Sequence, residues 1–209
     1  GRIHFQHRMW KLEEDYINEE SMGAFAQNDA PLSPLFFNFY SKYRTTELKI
    51  DGTVDQSGQM TVKAMNGNDA LPAIRKYIPK KVIFSVFFPV WVGRQLKAGW
   101  KEGGTRSFSS VLEDNLKEEF KTIGGTARLE KPDSFAQEKK VRRLAVEFNH
   151  LKSTWWVEEK GAAIRISMPI RNSEVTRTSQ SDAEKFLKPQ TPLEPPSKAD
   201  LNPAPESSP

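Results

Sequence analysis

The 209-residue chain contains no cysteine. That absence removes a disulfide framework, a thiolate metal site and a cysteine nucleophile together, although it leaves the compartment open. No apolar run approaches the ~18 residues that would read as a membrane-spanning helix. Hydrophobic residues make up only 37% of the chain, below the roughly 45–50% of globular averages that also count Gly. Histidine is scarce, with three in all. His4 and His7 stand three apart near the start, a spacing that on a helix could offer two imidazoles to a metal. His150 has no acidic motif beside it and reads as a strand-end residue. Familiar catalytic signatures are missing as well. Five residues separate Gly93 from Gly99 where a phosphate loop has four, and Trp100 precedes Lys101, so the phosphate-loop spacing fails. Asp51 to Gly58 has the look of a calcium loop. Val62 stands where a bidentate Glu would be needed, and a hairpin turn explains the segment better. Carboxylates at Glu47, Asp51, Glu147 and Glu158 could converge only in three dimensions. No catalytic residue, metal ligand or cofactor is assigned, and the reading leans away from an enzyme.

A chain that opens on Gly1 instead of Met reads as a mature or truncated form, so a targeting segment or anchor could precede it. Seven of the fourteen prolines lie between Pro189 and Pro209, among Ser, Glu and Lys. Such a segment cannot bury enough apolar surface to offset its ordering entropy. The expected organisation is an N-terminal amphipathic helix and linker (1–30), an α+β domain (31–172) and a disordered Pro/Ser-rich tail (173–209).

Charge is more informative than composition. The net charge is +4, but residues 75–106 hold eight cations (Arg75, Lys76, Lys80, Lys81, Arg94, Lys97, Lys101, Arg106) against Glu102 alone.

Periodicity supplies the elements. Phe5, Met9, Leu12 and Tyr16 recur at helical spacing over 3–20. Leu48, Ile50 and Val54 alternate with polar residues, Asp55 to Gly58 supplies a turn, and Met60, Val62 and Ala64 alternate again, which predicts a hairpin. A short helix is expected near 70–78. Val82 to Val92 is nearly all apolar and suggests a strand buried on both faces, bent at Pro89. Ser110 and Glu113 match a capping box. Phe108, Leu112, Leu116, Phe120 and Ile123 make a stripe behind it, and Gly124-Gly125 suits a helix end, so a helix is expected there. Leu144, Val146 and Phe148, then Ile164, Ile166, Met168 and Ile170, read as antiparallel strands. The sum is an α+β fold: a mainly antiparallel, curved sheet with helices packed on one face, cystatin-like, NTF2-like or helix-grip-like in general look.

Three functional readings follow. Lys80 and Lys81 precede an aromatic stretch containing Trp91, and Arg94, Lys97, Trp100 and Lys101 follow it. Cations flanking aromatics suit an anionic membrane surface or a protein partner, against the plainer reading of a buried strand with solvated ends. That makes the first expectation a non-enzymatic, membrane-peripheral scaffold or assembly domain, mitochondrial or bacterial. The second is a binding domain for a lipid or small apolar ligand, lined by Phe36, Phe37, Phe39, Phe84, Phe87 and Phe88. The third is an RNA- or ribosome-associated protein, to which Arg142, Arg143, Lys152, Trp155 and Trp156 could contribute. Adjacent tryptophans on a strand face opposite ways, so at most one of Trp155 and Trp156 is expected in the core.

Overall fold

A computed structural model describes residues 1–13, 16–179, 181, 182 and 185. Two antiparallel meanders follow one another along the chain. The first comprises β1 (Arg2–Glu13), β2 (Tyr16–Gln27), β3 (Pro34–Tyr43), β4 (Thr46–Val54), β5 (Gln59–Asn66), β6 (Asp69–Ala70) and β7 (Ile74–Tyr77). Strands β1 to β6 pair in order, and β7 returns to the same edge of β5 that β6 occupies.

The second sheet begins with β8 (Val82–Phe84), a 3-10 turn (Ser85–Phe87) and α1 (Phe88–Lys97). It continues through β9 (Thr105–Val111), β10 (Thr122–Glu130), a short α2 (Ser134–Lys139), β11 (Arg142–Phe148), β12 (Leu151–Val157), β13 (Ala163–Met168) and β14 (Ser173–Thr176). β8 and β9 are parallel, and α1 makes the crossover that a parallel pair requires. All other pairings are antiparallel.

One core joins the sheets. On the first, Ala24 lies opposite Phe37, Phe37 opposite Gly52 and Gly52 opposite Val62, so these residues share a face. Gly52 is required there: a Cβ would overlap the Phe37 ring, which lies flat across β4. Phe37 then meets Phe84 edge-on at 5.1 Å and Phe120 at 5.8 Å, both from the second half of the chain. Phe5 reaches Phe87 at 6.3 Å. Arg94 on α1 adds a polar tie, donating to the Asp29 carbonyl and to Asn28 Oδ1 in the β2–β3 loop.

This mostly-β architecture overturns the expected α+β fold with helices packed on one sheet face. Residues 3–13 and 16–20 fall in the strands β1 and β2 rather than a helix. The stretch near 70–78 is β6, a connection and β7. The run Val82–Val92 is a short strand that turns into α1, with Pro89 in the first helical turn, where its missing N–H costs nothing. The capping-box helix is absent. Ser110 lies within β9, Leu116–Glu118 forms a 3-10 turn, and Gly124-Gly125 lies in β10. The hairpin over 47–64 and the strands over 142–168 are as expected. In the hairpin turn, Asp55 accepts from Ser57 N–H at 2.8 Å and Gln59 N–H at 3.0 Å, which accounts for the calcium-like spelling. Of the segment read as a tail, Ser173–Thr176 forms β14. Residues 186–209 lie outside the described residues.

Candidate functional site

Strands β9 to β13 turn alternate side chains to one face. Leu144, Val146 and Phe148 on β11 stand opposite Trp155, Ser153 and Leu151 on β12, and Trp155 stands opposite Ile166 on β13. Helix α1 covers part of this face. Phe88 meets the Trp155 ring edge-on at 5.0 Å and the Phe108 ring at 4.7 Å. Where the cover is incomplete, a cavity of about 270 Å³ remains, walled by Phe88, Phe108, Leu112, Val146, Phe148, Leu151, Trp155, Ile166 and Met168. Three serines complete the wall: Ser85, Ser110 and Ser153.

The serines add little free polarity, because their protons are already committed. Ser110 Oγ donates to the Ile83 carbonyl at 3.1 Å, Ser153 Oγ to the Val146 carbonyl at 3.4 Å, and Ser85 Oγ to Glu113 Oε2 at 2.5 Å. Trp155 spends its indole N–H on Ser153 Oγ at 3.0 Å. The hollow therefore offers apolar contact with few vacant hydrogen-bond donors, a lining suited to hydrocarbon.

Behind the wall, Glu113 is fully buried. It also accepts from Val86 N–H at 3.3 Å. Burial is the main cause that raises its carboxyl from 4.5 to about 7, against the pull of Ser85 and Val86.

The opposite face of the second sheet is closed differently. Trp156 is buried there beneath α2, beside Ala136 and Val141. Arg165 lies over the Trp156 ring at 4.7 Å and the Phe135 ring at 5.0 Å. Asp133 ties the corner, capping α2 through Ala136 N–H at 2.8 Å and accepting from Trp156 Nε1 at 3.1 Å. Burial raises the Asp133 pKa, but these hydrogen bonds and Arg143 outweigh it and hold it below the ordinary value. Of the two adjacent tryptophans, Trp156 is core and Trp155 is half-buried in the cavity wall.

The basic-aromatic segment is dispersed by the fold. Lys80, Lys81, Lys97 and Lys101 are exposed. Trp100 is 6% exposed, with its indole N–H on the Gly104 carbonyl at 2.9 Å. Trp91 is half-buried, packed between Phe88, Phe108 and Trp100. Arg94 is spent on Asn28 and Asp29. Lys97 and Trp100 share a second, more polar hollow of about 510 Å³ with Lys140, Arg142 and Arg143, near α2.

Of the phenylalanines expected to line a pocket, Phe88 alone does so. Phe37, Phe39, Phe84 and Phe87 fill the core, and Phe36 packs beside Phe25 at 6.2 Å. Most of the other residues that line it come from four strands, β9, β11, β12 and β13, and only the β11 and β13 alternations hinted at them. The candidate carboxylates stay apart: Glu47 pairs with Lys42 and Lys49 on the first sheet, and Glu158 pairs with Arg177 on the second. His4 and His7 lie on a strand at odd spacing, so they face opposite sides and cannot share a metal. His4 stacks on Phe25 at 4.4 Å, whereas His7 is half-buried and its pKa is lowered by that burial.

No family model and no curated protein matches this sequence. Among solved structures, a DUF1089 family protein from Pseudomonas aeruginosa is similar at a TM-score of 0.44 and 16% identity, over 83% of this chain and 92% of that one. At that level the likeness carries no argument about function. Among the described residues, no helix is long and apolar enough to cross a membrane.

Proposed function

We propose that this protein binds a small apolar ligand, or one short hydrocarbon chain of a larger lipid, between α1 and strands β9 to β13. The supporting observation is the cavity of about 270 Å³ whose wall is aromatic and aliphatic and whose serine protons are spent internally. At ~30 Å³ per water-sized group, that space suits roughly nine heavy atoms. Filling it removes further apolar surface from water at about 25 cal/mol per Å².

Trp155 supplies a reporter. Titration with 1-bromoheptane, whose bromine quenches indoles on contact, should reduce tryptophan fluorescence saturably. Trp155→Phe should lose most of that quenching, and Ile166→Trp, which fills the hollow, should abolish binding. Non-saturable quenching, equal in Ile166→Trp, would count against the proposal.

A second reading, the membrane-peripheral scaffold, draws support from the exposed Lys80, Lys81, Lys97 and Lys101, although Trp91 and Trp100 are turned inward. Flotation with anionic vesicles addresses it.

A further inference from the structure

We propose that Ser85 and Glu113 form a proton-controlled anchor in the cavity wall, selecting apolar ligands that carry one hydrogen-bond-accepting head such as a ketone, aldehyde or ester carbonyl. The inference rests on the cavity being a ligand site.

Ser85 is the link. Its side chain lines the cavity, and its hydroxyl donates to Glu113 Oε2 at 2.5 Å. Glu113 stands behind it, fully buried, with Oε1 taking the Val86 N–H at 3.3 Å. No Lys, Arg or His among the described residues lies within ion-pair distance of this carboxylate. Holding the Ser85–Phe87 turn would require only a neutral acceptor, which a Gln side chain provides without the cost of burying an unpaired charge. A carboxyl at this position does one thing an amide cannot: it changes its hydrogen-bonding sense when it takes up a proton.

The two states present different walls. Ionised, Glu113 is acceptor-only and takes the Ser85 proton, leaving lone pairs toward the cavity. Protonated on Oε2, it donates to Ser85 Oγ, while Oε1 still accepts from Val86. The Ser85 proton is then free to turn toward the cavity. Ser110 and Ser153 cannot substitute, since their protons stay on the Ile83 and Val146 carbonyls. Protonation therefore creates the single vacant hydroxyl donor in an otherwise apolar wall.

The change falls near neutral pH. Burial raises the Glu113 carboxyl to about 7, and the neighbouring Asp114 charge adds to the rise. The groups that face it from the turn, Ser85 and Val86, are uncharged.

The test compares n-heptane with 2-heptanone, which match in chain length and do not titrate, by calorimetric titration from pH 5.5 to 8.5. In the unaltered protein the preference for the ketone over the alkane should grow about three- to tenfold as pH falls through about 7, the worth of one net hydrogen bond. Ser85→Ala should show a small, pH-independent preference. Glu113→Gln, whose amide N–H donates to Ser85 Oγ at every pH, should keep the low-pH preference throughout. A pH-independent preference in the unaltered protein, or an unchanged one in Ser85→Ala, overturns the anchor while heptane binding leaves the cavity standing. Failure of heptane to bind at any pH overturns both.

Discussion

Replacing Glu113 by Gln should remove a pH dependence from the stability of the fold. An unfolded chain carries this carboxyl near 4.5, and the folded protein holds it near 7. Between those values the folded state keeps a proton that the unfolded state has released, so stability falls as pH rises through the window. The contribution is fully present below pH 4.5 and is lost above about pH 7. The difference is worth about 3 kcal/mol at ~1.4 kcal/mol per pH unit, a large share of the 5–15 kcal/mol typical of a domain. Other groups add their own slopes, but those cancel when the two proteins are compared at each pH. Urea denaturation at half-unit steps from pH 4 to 8.5 gives the comparison. Relative to the unaltered protein, Glu113→Gln should gain about 3 kcal/mol between pH 4.5 and 7.5, with the m-value unchanged. Parallel stability curves would refute the reasoning, since they would mean that Glu113 is solvated or finds a cation in solution.

Three further outcomes follow from the same geometry. Gly93→Ala should lower the melting temperature even though Ala gains about 1 kcal/mol in helix propensity, because the new Cβ would overlap the Lys160 carbonyl. Asp133→Ala should cost about 2–3 kcal/mol in urea, losing the α2 cap and leaving the buried Trp156 N–H unpaired. Because the folded Asp133 pKa is depressed, that difference should be present at neutral pH and shrink as pH falls below the ordinary carboxylate range. The triple change Lys80→Glu, Lys81→Glu, Lys97→Glu should abolish any salt-sensitive flotation with anionic vesicles; flotation that survives it would show that these lysines are not the contact.

Where local pattern and final environment agree, the sequence could be read directly. The 47–64 hairpin is legible because Leu48, Ile50, Met60 and Val62 alternate across a turn that Asp55 closes by its own hydrogen bonds. The N-terminal strands are not. Their inward positions include small or polar residues (Ala24, Ala26, His7), which dilutes the period of two, while Phe5 and Met9 happen to fall at helical spacing. Ser110 and Glu113 spelled a capping box, but Glu113 leaves that neighbourhood to meet Ser85, which is 28 residues earlier. Pro89 carried a usable signal, since proline favours the first helical turn as readily as a bent strand. The cavity had no local signature. Phe88, Phe108, Val146, Trp155 and Ile166 meet only after the five strands β9 to β13 pair and α1 packs across them, and nothing in their spacing announces the gap that remains.

The most direct test of the central claim is a crystal structure of the protein soaked with 1-bromoheptane, read by the anomalous signal of bromine. The account predicts a peak between α1 and β11 to β13, against Phe88, Trp155 and Ile166, that is absent in Ile166→Trp. Ordered water bridging the cavity wall with no bromine peak there would contradict it.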